Sequence, residues 1–368
     1  MLKIERISDT EKLKSIEVLW NQVLQESKSN TLFLSYEWIC NWWKSFGKDK
    51  ELLILVVRDS DEVIGIAPLM IEKYKVGKIT FKQISFIQNA HCYHLDFIIT
   101  KKTEEVIEII LQYLKMEIKN WRRIYLNRIP TSSCNIENVR SLCRNKFLFK
   151  EQYGGIAPYI PVNGKWEEYY VKRKRKFRAE LRRDWKRLNG LGKIEFKIYK
   201  KASINIDNVF NEILAIAKTT WKEKEGSAIS STPELTQFYS SITKIAYKKD
   251  RLVLVIMYIN NKPNAFLLCV NYDNVLYELK MGYNPDISKY SVGYFVANNL
   301  VKYGFDRLKI KKIDLLGGEF TQWKRRYTDK GQEFLTIFMY RKTLVNYIYF
   351  VLRNQIKKSK LFDKLRNY

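Results

Sequence analysis

A hairpin pattern that occurs twice restricts the possible folds of this chain more than any other feature. Residues 52–70 (LLILVVRDSDEVIGIAPLM) and 252–270 (LVLVIMYINNKPNAFLLCV) each contain an apolar run, a short polar turn and a second apolar run. Apolar, β-branched runs on either side of a polar turn are typical of two antiparallel strands. We therefore predict a β-hairpin in each half, although two unrelated hairpins would give the same pattern.

The segments around the two hairpins repeat as well. Each hairpin follows a segment with apolar residues at helical spacing and precedes a strand, a helix and a second strand. These predicted elements are 36–46, 94–100, 103–119 and 123–129 around the first hairpin, and 233–247, 275–283, 291–303 and 308–316 around the second. This order produces a mixed sheet covered by helices. The predicted fold class is α/β, with two tandem halves that each hold a mixed β-sheet flanked by helices.

A segment rich in Gly and Pro indicates where the two halves join. It reads GGIAPYIPVNG, and a strongly basic pattern at helical spacing follows it. The predicted parts are an N-terminal half over 1–150, a linker and basic helix over 151–190, a C-terminal half over 191–340 and a basic amphipathic helix over 341–368.

The formal net charge of +27 predicts attraction of anions such as cofactor phosphates, nucleic acid, anionic lipid or acidic glycan. A lysine-rich surface without a ligand gives the same excess. In the basic helix, Phe177, Leu181 and Trp185 form an apolar stripe, so we expect this helix to dock on the protein. The segment 341–368 either lies on an anionic membrane surface or packs on the rest of the protein.

Cysteine and histidine are too sparse for a metal site. The five Cys form no CxxC pair and only His91 and His94 are present, so we predict no metal and reduced thiols. The sequence shows no signal peptide and no run of about 18 apolar residues. We therefore expect a cytoplasmic protein, with peripheral contact at the inner face of the cell membrane as a further expectation.

An ordered series of stretches resembles one family. The series comprises FLSYEWICNWWKSFG with the first hairpin, HLDFII with WRRIYLNRIP, APYIPV with KRKFRAELRRDWKRL, and the second hairpin through IDLLGGEFTQWKRRY. It resembles the GNAT superfamily and, within it, the CelD-like (cellulose-biosynthesis-type) acetyltransferases. Fem-type aminoacyltransferases share the doubled architecture. The resemblance implies two tandem GNAT-type halves, with a degenerate first half on the substrate side and the acyl-CoA site in the second.

The resemblance implies a bacterial N- or O-acyltransferase. Such an enzyme transfers an acyl group from acetyl-CoA or another acyl-CoA directly to a sugar or polysaccharide precursor of the cell envelope. Direct transfer needs a base, a donor for the thioester oxygen and an acid for the departing thiol, but no covalent enzyme intermediate. The sequence agrees, since it contains no GxSxG motif.

The predicted acyl-CoA site lies where a strand leads into a helix in the second half. Ser291 would cap that helix, and free amides at a helix start suit a diphosphate, although an ordinary capped helix has the same sequence. In GNAT proteins the preceding strand pairs with the pantetheine arm, and Gly282 permits this approach or forms a β-bulge. The predicted cofactor-binding residues are Met281, Gly282, Tyr283, Ser291, Val292, Gly293 and Tyr294.

Three residues are predicted to act in catalysis. Alternation places Glu278 on one face with Leu276 and Lys280, where it serves as general base or forms an ion pair. Glu319 follows the last strand, where α/β folds collect chemistry, or it begins the next helix. Tyr327 lies where the resemblance implies a tyrosine acid for the departing thiol, and a core aromatic is the alternative.

Five further residues are predicted to bind substrate. Asp96 contacts a sugar hydroxyl or is a buried turn acid, and Trp38 stacks on a sugar ring or belongs to the core. Arg178 and Arg182 bind phosphate or an anionic glycan, because a guanidinium matches a phosphate, or they only face solvent. Lys324 meets an anionic substrate group or is one of many solvated lysines.

Two other functions compete with acyl-CoA transfer. A Fem-type enzyme would take aminoacyl-tRNA and extend a peptidoglycan peptide, which the net charge favours. The inserted helical arm that such enzymes often carry is not evident in this sequence. A non-catalytic binding protein on a GNAT scaffold is the third hypothesis, and it predicts that CoA leaves the melting temperature unchanged.

Overall fold

The chain forms two compact units that are not its two continuous halves. The computed structural model describes residues 1–76, 78–200, 204–344, 346, 347 and 350. The first unit consists of Met1–Tyr36, Asp49–Gly154 and the described residues from Phe334 onward. The second consists of Glu37–Lys48 and Gly155–Glu333. A helix near the N-terminus therefore belongs to the second unit, and the end of the last strand belongs to the first.

Strands and helices alternate along the described residues. The strands are β1 Leu2–Ile7, β2 Glu51–Asp59, β3 Glu62–Val76, β4 Ile79–Phe86, β5 Ile98–Ile99, β6 Trp121–Pro130, β7 Leu148–Pro161, β8 Ile194–Tyr199, β9 Leu252–Ile259, β10 Lys262–Tyr272, β11 Val275–Tyr283, β12 Lys312–Asp314 and β13 Gly331–Tyr340. The α-helices are α1 Thr10–Ser15, α2 Glu17–Glu26, α3 Tyr36–Phe46, α4 Thr103–Met116, α5 Ile136–Lys146, α6 Trp166–Val171, α7 Arg175–Asn189, α8 Ile206–Thr219, α9 Trp221–Lys224, α10 Pro233–Lys248 and α11 Val292–Arg307. Short 3-10 helices are Leu32–Leu34, Pro285–Tyr290 and Lys324–Arg326.

The first unit is built on a mixed sheet. Strands β1 to β4 are antiparallel neighbours, β4 pairs in parallel with β6, and β6 pairs antiparallel with β13 from Phe334 onward. Strand β2 is fully buried from Leu53 to Val57, which explains its continuous apolar run. Helix α4 connects the hairpin side to β6 and buries its apolar face, including Ile107 and Ile110.

The second unit repeats this arrangement. Strands β8 to β11 are antiparallel neighbours, β11 pairs in parallel with β12, and β12 pairs antiparallel with β7. One face of the sheet packs on a core with α7 and α11, which contains Phe177, Leu276 and Leu300. Helices α8 and α10 contact the sheet as well. The amphipathic patterns of these helices bury their apolar sides and so fix the sheet between helical layers.

The predicted α/β fold class is confirmed. Each unit holds a mixed sheet flanked by helices, and the order helix, hairpin, strand, helix, strand occurs twice. The repeated elements are α3, β2, β3, β4, α4 and β6, followed by α10, β9, β10, β11, α11 and β12.

The predicted strand over 94–100 is wrong for most of its length. The strand that follows the first hairpin is β4, and only Ile98–Ile99 of the predicted stretch pairs with β3. His94 has a φ of 50°, which takes the backbone out of an extended conformation. Strand β4 escaped prediction because its first four residues are exposed or half-buried, so the apolar alternation is weak there.

A boundary between the two units lies at Gly154 and Gly155, but the prediction of a linker there is wrong, because most of GGIAPYIPVNG lies in strand β7. Gly155 has a φ of 104°, and a Cβ there would lie 2.9 Å from the carbonyl oxygen of Gly318. The amide of Ile156 donates to the same oxygen at 3.1 Å. The glycine is therefore required by a close backbone contact within the second unit, not by chain flexibility.

The predicted basic helix consists of two helices, α6 and α7. Phe177, Leu181 and Leu188 of α7 are buried, which confirms a docked amphipathic helix. Trp185 is 36% exposed and packs edge-on against Phe295. The polar side of α7 therefore remains open to solvent.

The predicted C-terminal helix over 341–368 lies mostly outside the described residues. Of its described apolar residues, Leu344 and Tyr347 are exposed. Within the described part of the chain, no helix combines the length and hydropathy that a membrane span requires.

Candidate active site

The parallel strands β11 and β12 pair over only three residues each. Their register runs from Val275 with Lys312 to Tyr277 with Asp314, and β11 then continues to Tyr283. The later part of β11 therefore has an edge that β12 does not cover. A 3-10 helix leads from the end of β11 to the start of α11.

A cavity of about 330 Å³ lies at this uncovered edge. It is lined by Thr220, Trp221, Lys222, Met281, Gly282, Tyr283, Ser288, Ser291, Val292, Gly293, Tyr294 and Trp323. All seven predicted cofactor-binding residues are among them. The structure thus brings together residues from β11 and from the start of α11, while their role in binding stays a prediction.

The start of α11 is held by a side-chain contact that the sequence did not predict. Ser291 adopts a left-handed backbone (φ 60°, ψ 29°), which is uncommon for a residue other than glycine. Its hydroxyl donates to Oδ2 of Asp184 in α7 at 2.7 Å. Ser291 occupies the N-cap position of α11 as predicted, but its hydroxyl makes no capping hydrogen bond because it donates to Asp184. No described residue accepts a hydrogen bond from the amides of Val292 or Gly293.

Asp184 is a buried acid beside two arginines. Its Oδ1 lies 3.2 Å from Nε of Arg183 and 3.5 Å from Nη1 of Arg187. Burial raises the pKa of Asp184, but the hydrogen bond from Ser291 and the arginine contacts outweigh it and lower the pKa overall. Asp184 is therefore ionised at neutral pH and anchors the turn before α11.

Gly282 is explained by packing within the unit. A Cβ at this position would lie 2.6 Å from the ring of Phe266 and 3.2 Å from the side chain of Thr220. Gly282 lines the cavity, but it pairs regularly with Phe266, so it is not a bulge residue. The register shift in this ladder lies at Leu279.

The bulge separates two residues that were predicted to share a face. Lys280 lies over the ring of Tyr239 in α10 at 5.2 Å, and its Nζ donates to the Ser227 carbonyl at 2.7 Å. Leu276 instead belongs to the core with α7 and α11. The prediction that Leu276 and Lys280 lie on one face is wrong, because the extra residue at Leu279 reverses the alternation.

Glu278 is 7% exposed and lies in β11, shortly before the cavity residue Met281. Burial raises its pKa to about 7, against the opposing effects of Lys324 and Lys222 and with a further contribution from Asp314. No hydrogen bond from a described residue contributes to this pKa. A carboxylate that gains and loses a proton near neutral pH has the property a general base needs. Its catalytic role stays a prediction.

Lys324 is buried, and its ammonium group donates a hydrogen bond to the protein backbone. Its Nζ donates to the Leu316 carbonyl at 2.6 Å, and burial lowers its pKa against the effects of Glu278, Asp314 and Glu319. It does not line the cavity. The alternative that Lys324 is a solvated lysine is wrong, and contact with an anionic substrate group stays a prediction.

None of the three predicted catalytic residues lines the cavity, because Glu319 and Tyr327, like Glu278, are absent from its wall. Glu319 is exposed in a loop, and no helix begins there, so its alternative as a helix-start acid is wrong. Tyr327 is 1% exposed, and its hydroxyl donates to Oδ1 of Asn298 at 2.9 Å. Burial raises its pKa well above the usual value. Its ring packs against Tyr294 at 6.2 Å, as expected for a core aromatic.

Asp96 and Trp38 are buried in separate units. The carboxylate of Asp96, in the first unit, accepts hydrogen bonds from Ser133 (2.6 Å) and Ser29 (3.1 Å). Trp38, in the second unit, is 1% exposed and lies edge-on to Phe238 at 5.0 Å. The structure therefore favours the alternative for each residue. Asp96 is a buried turn acid with hydrogen-bond partners, and Trp38 belongs to the core.

Arg178 and Arg182 lie on α7 and do not line the cavity. The Nε of Arg178 donates to the Arg173 carbonyl at 3.2 Å, while Arg182 is exposed. Contact with an anionic ligand stays a prediction for both.

Sequence reasoning missed the residues that complete the cavity, namely Thr220, Trp221, Lys222, Ser288 and Trp323. The Nζ of Lys222 donates to the Met281 carbonyl at 2.8 Å. The segment WKEKEG around Lys222 matches no motif and has no clear periodicity, so no local signal distinguishes Lys222 from the many other lysines. Only the fold reveals it, by placing α9 against the end of β11.

The segment that builds this cavity matches a family model. Residues 175–325 match the acetyltransferase (GNAT) domain. The match includes β11, α11 and every residue that lines the cavity. The protein thus carries a GNAT-type acyltransferase domain and is a transferase. No curated protein matches the sequence.

Solved structures share the fold of the whole chain at low identity. The crystal structure of FemX is 13% identical with a TM-score of 0.58, covering 95% of this chain and 99% of that chain. The C-terminal domain of a putative lysylphosphatidylglycerol synthetase from Agrobacterium fabrum is 9% identical with a TM-score of 0.53, covering 94% and 96%. L-PGS from Bacillus licheniformis is 13% identical with a TM-score of 0.50, covering 94% and 96%. These similarities concern the fold alone.

Proposed function

We propose that this protein transfers an acyl group from an acyl-CoA, in the first instance acetyl-CoA, to nitrogen or oxygen of a sugar or polysaccharide precursor of the cell envelope. The main support for this proposal is the cavity beside β11. All the residues that line this cavity belong to the segment that matches the GNAT domain. The proposal includes kinship with the CelD-like acetyltransferases and a place of action in the cytoplasm, at or near the inner membrane face.

The start of α11 fits the diphosphate of such a donor. Val292 and Gly293 line the cavity, and their amides have no acceptor among the described residues. Amides at a helix start carry partial positive charge and bind phosphate groups. The uncovered edge of β11 from Met281 to Tyr283 offers backbone groups for the amides of the pantetheine arm.

The buried carboxylate of Glu278 fits the role of base in direct transfer. With a pKa raised to about 7, it takes a proton from an attacking amine or hydroxyl at neutral pH. No covalent enzyme intermediate is needed, because the attacking atom bonds directly to the thioester carbon as the C–S bond breaks.

Calorimetry with acetyl-CoA, longer acyl-CoAs and free CoA tests the proposal. We expect wild-type protein to bind acetyl-CoA and Gly293→Glu to bind at least about tenfold more weakly, since a carboxylate at the helix start repels phosphate. Gly318→Glu is the matched control, because a Cβ there meets no atom within 4 Å and Gly318 does not line the cavity. Equal affinities for both variants, or no binding by wild-type protein, would refute the proposed donor site.

A Fem-type transfer from aminoacyl-tRNA is the second candidate, favoured by the basic side of α7. This helix contacts the cavity through the bond between Asp184 and Ser291, and Arg182, Arg183 and Lys186 are exposed on it. Binding of tRNA that weakens steeply with salt, without binding of acetyl-CoA, would favour this candidate over the first.

A further inference from the structure

Lys222 is the one residue with a charged side chain among the described residues that line the cavity. It lies in α9, and its Nζ donates to the Met281 carbonyl at 2.8 Å. The ammonium is therefore fixed at the edge of β11, on the strand that also carries Glu278. Lys222 and Glu278 influence each other electrostatically.

The hydrogen bonding of Lys222 is incomplete. An ammonium has three N–H donors, and the Met281 carbonyl is the acceptor that the described residues provide. No described carboxylate lies within ion-pair distance of it. Lys222 is half-buried at the cavity wall, so the N–H groups that Met281 does not use can donate to an anionic partner in the cavity.

Two neighbouring lysines have similar contacts, since each of the three donates to one backbone carbonyl and lies near one aromatic ring. Lys280 donates to the Ser227 carbonyl and lies over the ring of Tyr239. Lys324 donates to the Leu316 carbonyl and does not line the cavity. Of these three lysines, Lys222 alone both lines the cavity and is electrostatically coupled to Glu278.

We propose that the Lys222 ammonium donates a hydrogen bond to the thioester oxygen of the acyl donor and stabilises the negative charge that develops there during transfer. This inference rests on the proposed acyl-CoA function and adds a catalytic residue to it. A fixed cation at the cavity wall suits this role, since a donor already in place when charge develops requires little reorganisation.

Each bond and each proton in the proposed transfer can be accounted for. The nucleophile's lone pair forms a bond to the carbonyl carbon, and the carbonyl π pair moves to the oxygen beside Lys222. Glu278 takes the proton that the nucleophile loses. When the carbonyl re-forms, the C–S bond breaks and its electron pair leaves with sulfur. The thiolate then regains a proton from Glu278 or from water.

Two measurements on Lys222→Met test the inference, with Lys224→Met as the matched control. Lys224 lies in the same helix and is exposed outside the cavity. The first measurement is thiol release from acetyl-CoA with water as the acceptor. The second is calorimetric affinity for acetyl-CoA and for S-carboxymethyl-CoA, a non-reacting analogue whose carboxylate presents a negative oxygen.

For Lys222→Met we expect thiol release to fall by about 100-fold, as is usual on loss of one donor to a developing oxyanion. Affinity for the carboxymethyl analogue should fall by roughly tenfold, while affinity for acetyl-CoA stays within about threefold of wild type. Lys224→Met should match wild type in all three quantities. Lys222→Arg, which keeps a cationic donor, should retain at least about a tenth of the wild-type rate.

A wild-type rate in Lys222→Met, or equal loss of affinity for both CoA compounds, would overturn the inference and leave the proposed function intact. If Lys222→Met does not fold, as judged by its thermal transition, Lys222→Arg decides: a loss of about 100-fold in a folded Arg variant overturns the donor role. Wild-type protein that binds neither CoA compound would overturn the proposed function and this inference together.

Discussion

Glu278 lies in the middle of an apolar strand with its carboxylate buried near two lysines. Its pKa, raised to about 7 by burial, means that the carboxylate form increases as pH rises through neutrality. A general base acts in that form, so the rate of acyl transfer should rise with pH and level off above the pKa.

We expect Glu278→Gln to lower acetyl-CoA thiol release by roughly 100-fold or more and to remove this rise with pH. A pH–rate profile from about pH 5 to about pH 9 measures both effects. Glu167→Gln, at an exposed position of α6 away from the cavity, serves as control and should retain the wild-type profile. An unchanged pH dependence in Glu278→Gln would exclude this residue as the base.

Glu278 and Lys222 differ in how well the sequence alone predicts their importance. Glu278 is visible as a charge inside an apolar run, and a buried carboxylate follows from strand alternation. Lys222 is not visible, because it lies in a polar segment and becomes distinctive only when Met281 accepts its hydrogen bond. Sequence also placed Lys280 on the wrong face, since a β-bulge at Leu279 leaves no local pattern.

The start of α11 depends on a neighbouring helix. Ser291 holds its left-handed backbone while its hydroxyl donates to Asp184 of α7. We expect Asp184→Ala to lower the free energy of unfolding by roughly 1–3 kcal/mol, because it removes a hydrogen bond to a buried carboxylate. Urea unfolding of the wild-type protein and of Asp184→Ala measures this loss of stability.

Asp184→Asn is the matched variant, since its amide oxygen can still accept from Ser291. It should lose less stability than Asp184→Ala. An equal loss in both variants would mean that the arginine contacts, rather than the Ser291 hydrogen bond, provide the stabilisation.

Helix α3 belongs to the core of the second unit. Trp38 packs edge-on against Phe238, and Asn41 donates to the Phe238 carbonyl at 3.0 Å. We expect Trp38→Ala to lower the free energy of unfolding by roughly 3–5 kcal/mol, as is usual for removal of a buried large aromatic. Lys44→Ala, on the exposed side of the same helix, should cost less than about 0.5 kcal/mol in the same denaturation experiment.

Elements with strong apolar periodicity were predictable, and those fixed by distant partners were not. The two hairpins and α11 follow from runs and spacing alone. The strand in the 154–161 region was missed because Gly and Pro suggest a linker, whereas Gly155 is present for its contact with Gly318. The membership of α3 in the second unit rests on contacts with α10 and has no signature in the local sequence.

The net charge of +27 acts on every anionic ligand that approaches the protein. We expect the association rate constant of acetyl-CoA to fall roughly tenfold between about 0.05 M and about 0.5 M salt, because salt screens long-range attraction. The dissociation rate constant should change much less. Stopped-flow binding measures both, and a salt-independent association rate would show that the excess charge does not guide the donor.

The position of α3 has a consequence for biosynthesis. Asn41 finds its hydrogen-bond acceptor in Phe238, 197 positions later in the chain. While the ribosome makes the intervening residues, Trp38 and Phe46 lack their ring contacts with Phe238, because α10 has not yet been made. The part of the core that α3 forms with α10 can therefore be completed only after Phe238 has been synthesised.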